Sequence, residues 1–222
     1  MASNDSTAPR ESLPAKSDKE NDEGLPSSNQ STASTQATVS DQNNSSIEDV
    51  ERRNRETVRL YGFETHATGD DLSRVVASVL KNQRLPFYAP GRSDTTFRPF
   101  YFFFYGSLQD PRILSSVCGM GSDEPELKAG TIEGWETMLW SIYPALVPKA
   151  GNVVKGMYWQ CQNPRYVHNL CRYEGRAYRM EFCKIVTDQG EVIEDGRTFV
   201  STSDKSELRE GVFDLKEFMD GR

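Results

Sequence analysis

With 222 residues and a net charge of −7, the chain has room for one domain of ordinary size or two small ones, and its composition divides it in two. The first fifty residues carry no aromatic side chain, about half are Ser, Thr, Asn or Gln, and nine acids face three bases, a net −6. Such a segment cannot bury enough surface to offset its chain entropy, so 1–50 reads as a disordered acidic tail, and the near-neutral remainder offers no basic face to nucleic acid.

Within that tail, residues 2–15 mix Asp5, Arg10 and Glu11 with Ser and Pro, which leaves no apolar core of the kind a secretory signal needs. No later stretch has the length of a membrane span, so the expectation is a cytoplasmic protein that touches no membrane. Residues 51–95 read as a helical extension. A charged helix over 51–60 is followed by Thr68-Gly69-Asp70-Asp71, a capping box ahead of Leu72, Val75, Val76, Val79 and Leu80. Those five fall on one stripe, which predicts a helix from Asp70 to Gln83 ended by Pro86.

Residues 96–203 change character to short apolar runs, predicting strands at 99–105, 128–142, 153–161, 177–187 and 196–201. Two helices intervene: 111–118, with Pro111 at its first turn, and 164–173, opened by Pro164. Strand-rich segments without regular βαβ alternation indicate an α+β domain with a curved or closed mixed sheet. Residues 204–222 read as a polar connection and a short terminal helix. Cys118, Cys161, Cys171 and Cys183 show no Cys-x-x-Cys spacing, and His66 and His168 lie far apart. Zinc and a Cys/His nucleophilic pair both lack their usual signature, free thiols are expected, and no cofactor is called for. Nothing in composition or spacing sets an oligomeric state.

The stretch with most chemical content is Tyr-Phe-Phe-Phe-Tyr-Gly-Ser-Leu-Gln-Asp-Pro-Arg at 101–112. Phe102, Phe103 and Phe104 are apolar without alternation, as in a strand buried on both faces, and Gly106 and Ser107 supply the turn that ends it. Backbone N–H groups just past such a turn are free to receive an anion. On these residues alone, a core strand meeting a turn and a ligand cradle are both open.

Three segments in order carry a resemblance: Tyr105-Gly106-Ser107-Leu108, then Tyr143-Pro144-Ala145-Leu146-Val147-Pro148, then Tyr173-Glu174-Gly175-Arg176-Ala177-Tyr178. Gly134-Trp135 and Val154-Lys155-Gly156-Met157-Tyr158 lie between them. Over roughly residues 99–203 the chain resembles the γ-glutamylcyclotransferase-like family, AIG2-like branch, of plants and fungi. The resemblance implies a mixed β-barrel with flanking helices, and a reaction that splits a γ-glutamyl amide into 5-oxoproline and a free amine. It implies Glu174 as general acid/base and a small γ-glutamyl molecule as partner. The glutamyl group would be received by Phe104, Tyr105, Gly106, Ser107, Leu108 and Gln109, with Tyr178 as a pocket wall.

The match has departures. Relatives often carry an acid three positions before the glutamate, where this chain has Cys171, and an arginine two positions after the second tyrosine, where it has Met180. Arg179 is one position off, and in a strand that places it on the opposite face. Three functional readings stay open: a γ-glutamylcyclotransferase, a non-catalytic binding or interaction module on the same fold, and another amide-forming or amide-breaking step on a specialised metabolite.

Overall fold

The computed structural model describes residues 34–81, 95–121 and 124–220. The chain divides after Gln42, and of the first unit the described residues are helical. The tail expected over 1–50 therefore lies outside the described residues as far as residue 33. Helix α1, Ser34–Leu60, begins well ahead of the 51–60 that charge spacing predicted. Its later turns are held by an Asp49–Arg52 pair at 2.7 Å and by Val58, which is fully buried, so packing as well as local spacing sets its extent.

Strand β1 (Phe63–Glu64) and helix α2 (Gly69–Leu80) follow, and β1 pairs with β2 (Thr96–Phe97). Residues 82–94, with Pro86, lie outside the described residues. The expected capping box does not form, because the Thr68 side chain makes no cap bond; the Gly69 N–H instead donates to Glu51 Oε1 of α1 at 2.8 Å. Leu72, Val75 and Val79 turn inward onto Val58, Phe63 and Ala67 in a small core, whereas Leu80, placed on the same stripe by its spacing, is exposed.

A buried arginine of the main domain holds the end of this extension. Arg197 is buried at 3 % exposure and donates from Nη2 to Arg59 O at 2.8 Å and from Nε to Leu60 O at 3.2 Å. The Leu60 carbonyl thereby gains a donor at the end of α1, and the Arg59 carbonyl gains one in addition to the Gly62 N–H at 2.9 Å. Its guanidinium also lies 4.5 Å over the Phe100 ring and 4.4 Å over the Phe182 ring. Burial brings its pKa down to about 10, which still leaves it a cation at neutral pH.

The main domain is a closed five-stranded barrel in the order β3-β5-β4-β6-β7. The strands are β3 (Phe100–Phe104), β4 (Lys128–Trp140), β5 (Tyr143–Cys161), β6 (Tyr178–Thr187) and β7 (Val192–Ser201). All neighbours are antiparallel except β3 and β7, which close the barrel in parallel with Phe102 opposite Arg197. The α+β expectation of a mixed barrel with flanking helices holds. The continuous Phe run now has its reason: Phe103 packs inside the barrel with Ile132, Leu146, Ile185 and Val200, while Phe102 and Phe104 face the helices α3 (Pro111–Cys118) and α4 (Pro164–Glu174).

Both helices begin as read, with Pro at the first turn and a capping side chain before it. Asp110 accepts from the N–H groups of Arg112 and Ile113, and Asn163 from that of Arg165. Two strands are longer than predicted. The segment 143–148, between the predicted strands 128–142 and 153–161, is the first part of β5, paired to β4 in a long hairpin with a bulge at Gly134. Beyond β7 the chain is more than a polar connection: Arg209 forms an antiparallel bridge with Leu139, and Leu208 packs on Ala145, Val147 and Met138. Helix α5 (Leu215–Asp220) ends the described chain. Among the described residues no helix is long and apolar enough to cross a membrane.

Gly156 lets β5 approach β3 closely. A Cβ at this position would lie 2.2 Å from Phe104 O and 2.6 Å from Phe103 Cζ, so a methyl group has no place without moving backbone. Gly156→Ala is expected to lower stability by about 3 kcal/mol in urea unfolding.

Candidate active site

Tyr105 is the first residue beyond β3, and its side chain turns in to bond two other strands of the barrel. The hydroxyl donates to Phe199 O of β7 at 2.7 Å and accepts from the Leu146 N–H of β5 at 3.3 Å. Burial raises the Tyr105 phenol well above its usual range, so it stays protonated and keeps donating.

From Gly106 the backbone leaves the barrel and makes a single 3₁₀ turn, Ser107–Gln109. A Cβ at Gly106 would lie 2.9 Å from Pro144 Cγ, so a glycine allows the turn to sit against β5. The first N–H groups of such a turn, those of Ser107 and Leu108, have no intrahelical acceptor. The Ser107 hydroxyl shares a 2.9 Å hydrogen bond with the Tyr173 hydroxyl of α4.

Glu174 is the last residue of α4. Gly175 follows with φ 65° and ψ −147°, a conformation that is essentially glycine's alone, and it turns the chain at once towards β6. That reversal directs Glu174 into a cavity of about 300 Å³ bordered by Phe104–Leu108, with Trp140, Tyr143, Pro144, Tyr173, Ala177, Tyr178 and Phe199 as the remaining walls near it. Among the described residues its carboxyl accepts no hydrogen bond, and burial raises its pKa from 4.5 to about 7. The carbonyl-rich end of α4 acts in the same direction. Tyr178 donates to Pro144 O at 3.0 Å, and burial followed by the nearby Glu174 keeps its phenol protonated. No cluster of His, Cys, Asp and Glu suited to a metal ion occurs among the described residues.

A glutamate of near-neutral pKa beside a strand-end turn, at the mouth of a five-stranded barrel, is set by the segments that carried the resemblance. The profile of the gamma-glutamyl cyclotransferase, AIG2-like family matches residues 102–216. The chain belongs to this family. No curated protein matches it. Among solved structures it is similar to an Arabidopsis thaliana protein at 23% identity and TM-score 0.45, over 56% of this chain and 83% of that one. A second Arabidopsis thaliana protein is similar at 19% identity and TM-score 0.46, over 57% and 76%. A structure described as a gamma-glutamyl cyclotransferase is similar at 16% identity and TM-score 0.41, over 48% and 68%.

Of the site residues read for this AIG2-like chain, Phe104, Tyr105, Gly106, Ser107, Leu108, Glu174 and Tyr178 come together around the cavity. Gln109 does not; its side-chain amide turns back to donate to Gly106 O at 3.2 Å, and the residue borders a neighbouring cavity with Trp135 and Phe213. The sequence reading missed Trp140 and Phe199, which reach the cavity through the hairpin tip and the barrel closure. Tyr143 and Pro144 were signalled by their segment, without a role. The family match also runs past residue 203 to 216, consistent with the Arg209–Leu139 bridge that joins this stretch to the barrel.

The departures have structural uses. Cys171 is partly buried and, like Tyr61 just past the end of α1, packs against the core beneath α4; burial pushes its thiol up to about 11. Met180 is buried in the core beneath α3 and α4, while Arg179 faces outward and pairs with Glu181 at 2.5 Å. The strand reading that kept Arg179 out of the pocket holds.

Two expectations follow. Tyr105→Phe leaves Phe199 O and Leu146 N without their partner, and should lower stability by about 2 kcal/mol, read by thermal or urea unfolding. The Glu174 carboxyl, protonated more readily in the folded than in the unfolded chain, contributes most at or below pH 4.5. That contribution is lost as pH rises through about 7, where the folded chain must bury a carboxylate. The stability of the natural protein relative to Glu174→Gln should therefore fall by about 3 kcal/mol between those limits. Paired urea titrations across that range check it, and a flat difference would remove burial as the cause.

Proposed function

We propose that this protein is a γ-glutamylcyclotransferase that converts a γ-glutamyl amide to 5-oxoproline and a free amine, with Glu174 as general acid/base. The observation that carries this reading is the Glu174 carboxyl, enclosed beside the Tyr105–Leu108 turn, with no fixed hydrogen-bond partner among the described residues and a pKa of about 7. A group poised there takes and returns a proton at neutral pH with little bias.

The substrate supplies its own nucleophile. Its α-nitrogen closes on the γ-carbon to form a five-membered ring, so effective molarity lowers much of the barrier. The new bond joins the α-nitrogen to the γ-carbon, and the tetrahedral intermediate collapses by breaking the original amide C–N bond. On the way from α-ammonium to lactam N–H the nitrogen sheds two protons; both pass by way of Glu174 to the nitrogen of the breaking amide, which departs as an ammonium, so the reaction balances without a co-reactant. The N–H groups of Ser107 and Leu108 face the anionic parts of the glutamyl group, its α-carboxylate or the oxyanion that develops on the γ-carbonyl. Tyr105 and Tyr178, whose hydroxyls are committed to backbone carbonyls, serve as walls.

Glu174→Gln is expected to reduce 5-oxoproline release from a panel of γ-glutamyl amides by about 10³-fold while the circular dichroism spectrum stays unchanged. Undiminished turnover would take Glu174 out of the mechanism. A binding module on the same fold is the second reading. It is favoured by Cys171 and Met180, which pack against and within the core where the resemblance leads one to expect charged partners. It requires saturable binding of γ-glutamyl compounds with no 5-oxoproline formed by the natural protein.

A further inference from the structure

Apart from Glu174, the described residues that line the cavity carry no charge, none is Lys, Arg or His, and eight of them are aromatic. Its outer rim is made by Trp140, Tyr143 and Tyr173, which are 39 %, 41 % and 39 % exposed. Three large rings half open to water around one cavity form a patch of the kind that marks a binding surface. Trp140 and Tyr143 stand 6.4 Å apart, centroid to centroid, and Tyr143 meets Phe218 of α5 edge-on at 6.0 Å.

The rim is also held in place. Trp140 and Tyr143 flank the tight turn at Ser141, whose φ of 57° is unusual for a residue with a side chain. Arg209 donates to Ser141 O from Nη2 at 2.8 Å and from Nε at 3.3 Å, and its backbone exchanges two hydrogen bonds with Leu139 at 2.9 and 3.0 Å. At Gly211 a Cβ would lie 2.4 Å from Leu139 Cδ1, so the strap runs in close contact with the hairpin. A clamped aromatic wall offers ring contact without the cost of ordering it on binding.

We propose that the amine half of the substrate is an arylalkyl amine that bears no carboxylate of its own. This rests on the γ-glutamyl reading above for the other half. A γ-glutamyl peptide would carry a second carboxylate into a cavity whose described lining holds no Lys, Arg or His, the nearby Arg209 being bound to Ser141 O, and next to a glutamate that becomes anionic during the reaction. An arylalkyl group instead stacks on Trp140 and Tyr143, and its nitrogen leaves as an ammonium with no repulsion from the rim.

The test measures binding to the full-length Glu174→Gln protein by calorimetry, so that no turnover is needed. The ligands are γ-glutamyl-phenethylamide, γ-glutamylphenylalanine, which differs by one carboxylate, and γ-glutamyl-methylamide, which has no ring. The phenethylamide should bind at least about tenfold more tightly than the phenylalanine compound. Adding Trp140→Ala should weaken the phenethylamide about tenfold and leave the methylamide unchanged, with Trp140→Phe restoring most of the loss. Equal or tighter binding of γ-glutamylphenylalanine overturns the proposal, as does a ligand preference unaltered by Trp140→Ala in protein with native circular dichroism. Selective binding without 5-oxoproline release by the natural protein sinks the cyclisation and keeps the amine assignment. Turnover without selectivity does the reverse, and no binding of any of the three sinks both.

Discussion

The hydroxyl of Tyr105 is the point on which the site depends. A buried backbone carbonyl or N–H without a partner is costly. Here β3 stops at Phe104, and one phenol bonds β7 on one side and β5 on the other. One side chain thus cross-links two strands of the barrel just past the end of β3, where the backbone forms the turn that borders the cavity. The turn, the cavity and the place for Glu174 all lie beside this cross-link.

Glu174 shows the complementary bargain. Its carboxyl is placed by a helix end and a glycine that no other residue replaces easily, in surroundings that raise its proton affinity and so weaken the fold at neutral pH. The deficit is carried by a core in which β3 is buried on both faces, and by α4, which packs on that core through Val167 and Leu170. The N-terminal extension adds a buttress to the same helix, since the Tyr61 ring meets His168 of α4 at a tilt, 5.6 Å between centroids. Arg197 in turn ties the extension to β7 by donating to the last carbonyls of α1. Site, barrel and extension are therefore linked through short chains of named contacts.

Much of this could be read from the chain. Both barrel-flanking helices and the β3 strand with its two buried faces were legible because each is encoded locally, by Pro at a first turn and an unbroken aromatic run, whereas the partnership of the 105–108 turn with Glu174 came from the family resemblance. What misled was equally local. Thr68 looked like a cap, yet Glu51 from another helix supplies the bond. Gln109 looked like part of the cradle, yet its amide folds back on Gly106. Leu80 fell on the apolar stripe but is half exposed, outside the small core of that helix.

The sequence by itself determined the kinds of element, the order of the motifs and the carboxylate that the family match then framed, because propensity, capping and short segments are properties of neighbours in the chain. The tertiary structure alone decided that Tyr105 bridges two strands, that burial lifts Glu174 to a pKa of about 7, and that Trp140, Tyr143 and Tyr173 form one rim. These are consequences of barrel closure and of desolvation. Both depend on groups far apart in sequence, which no local pattern records.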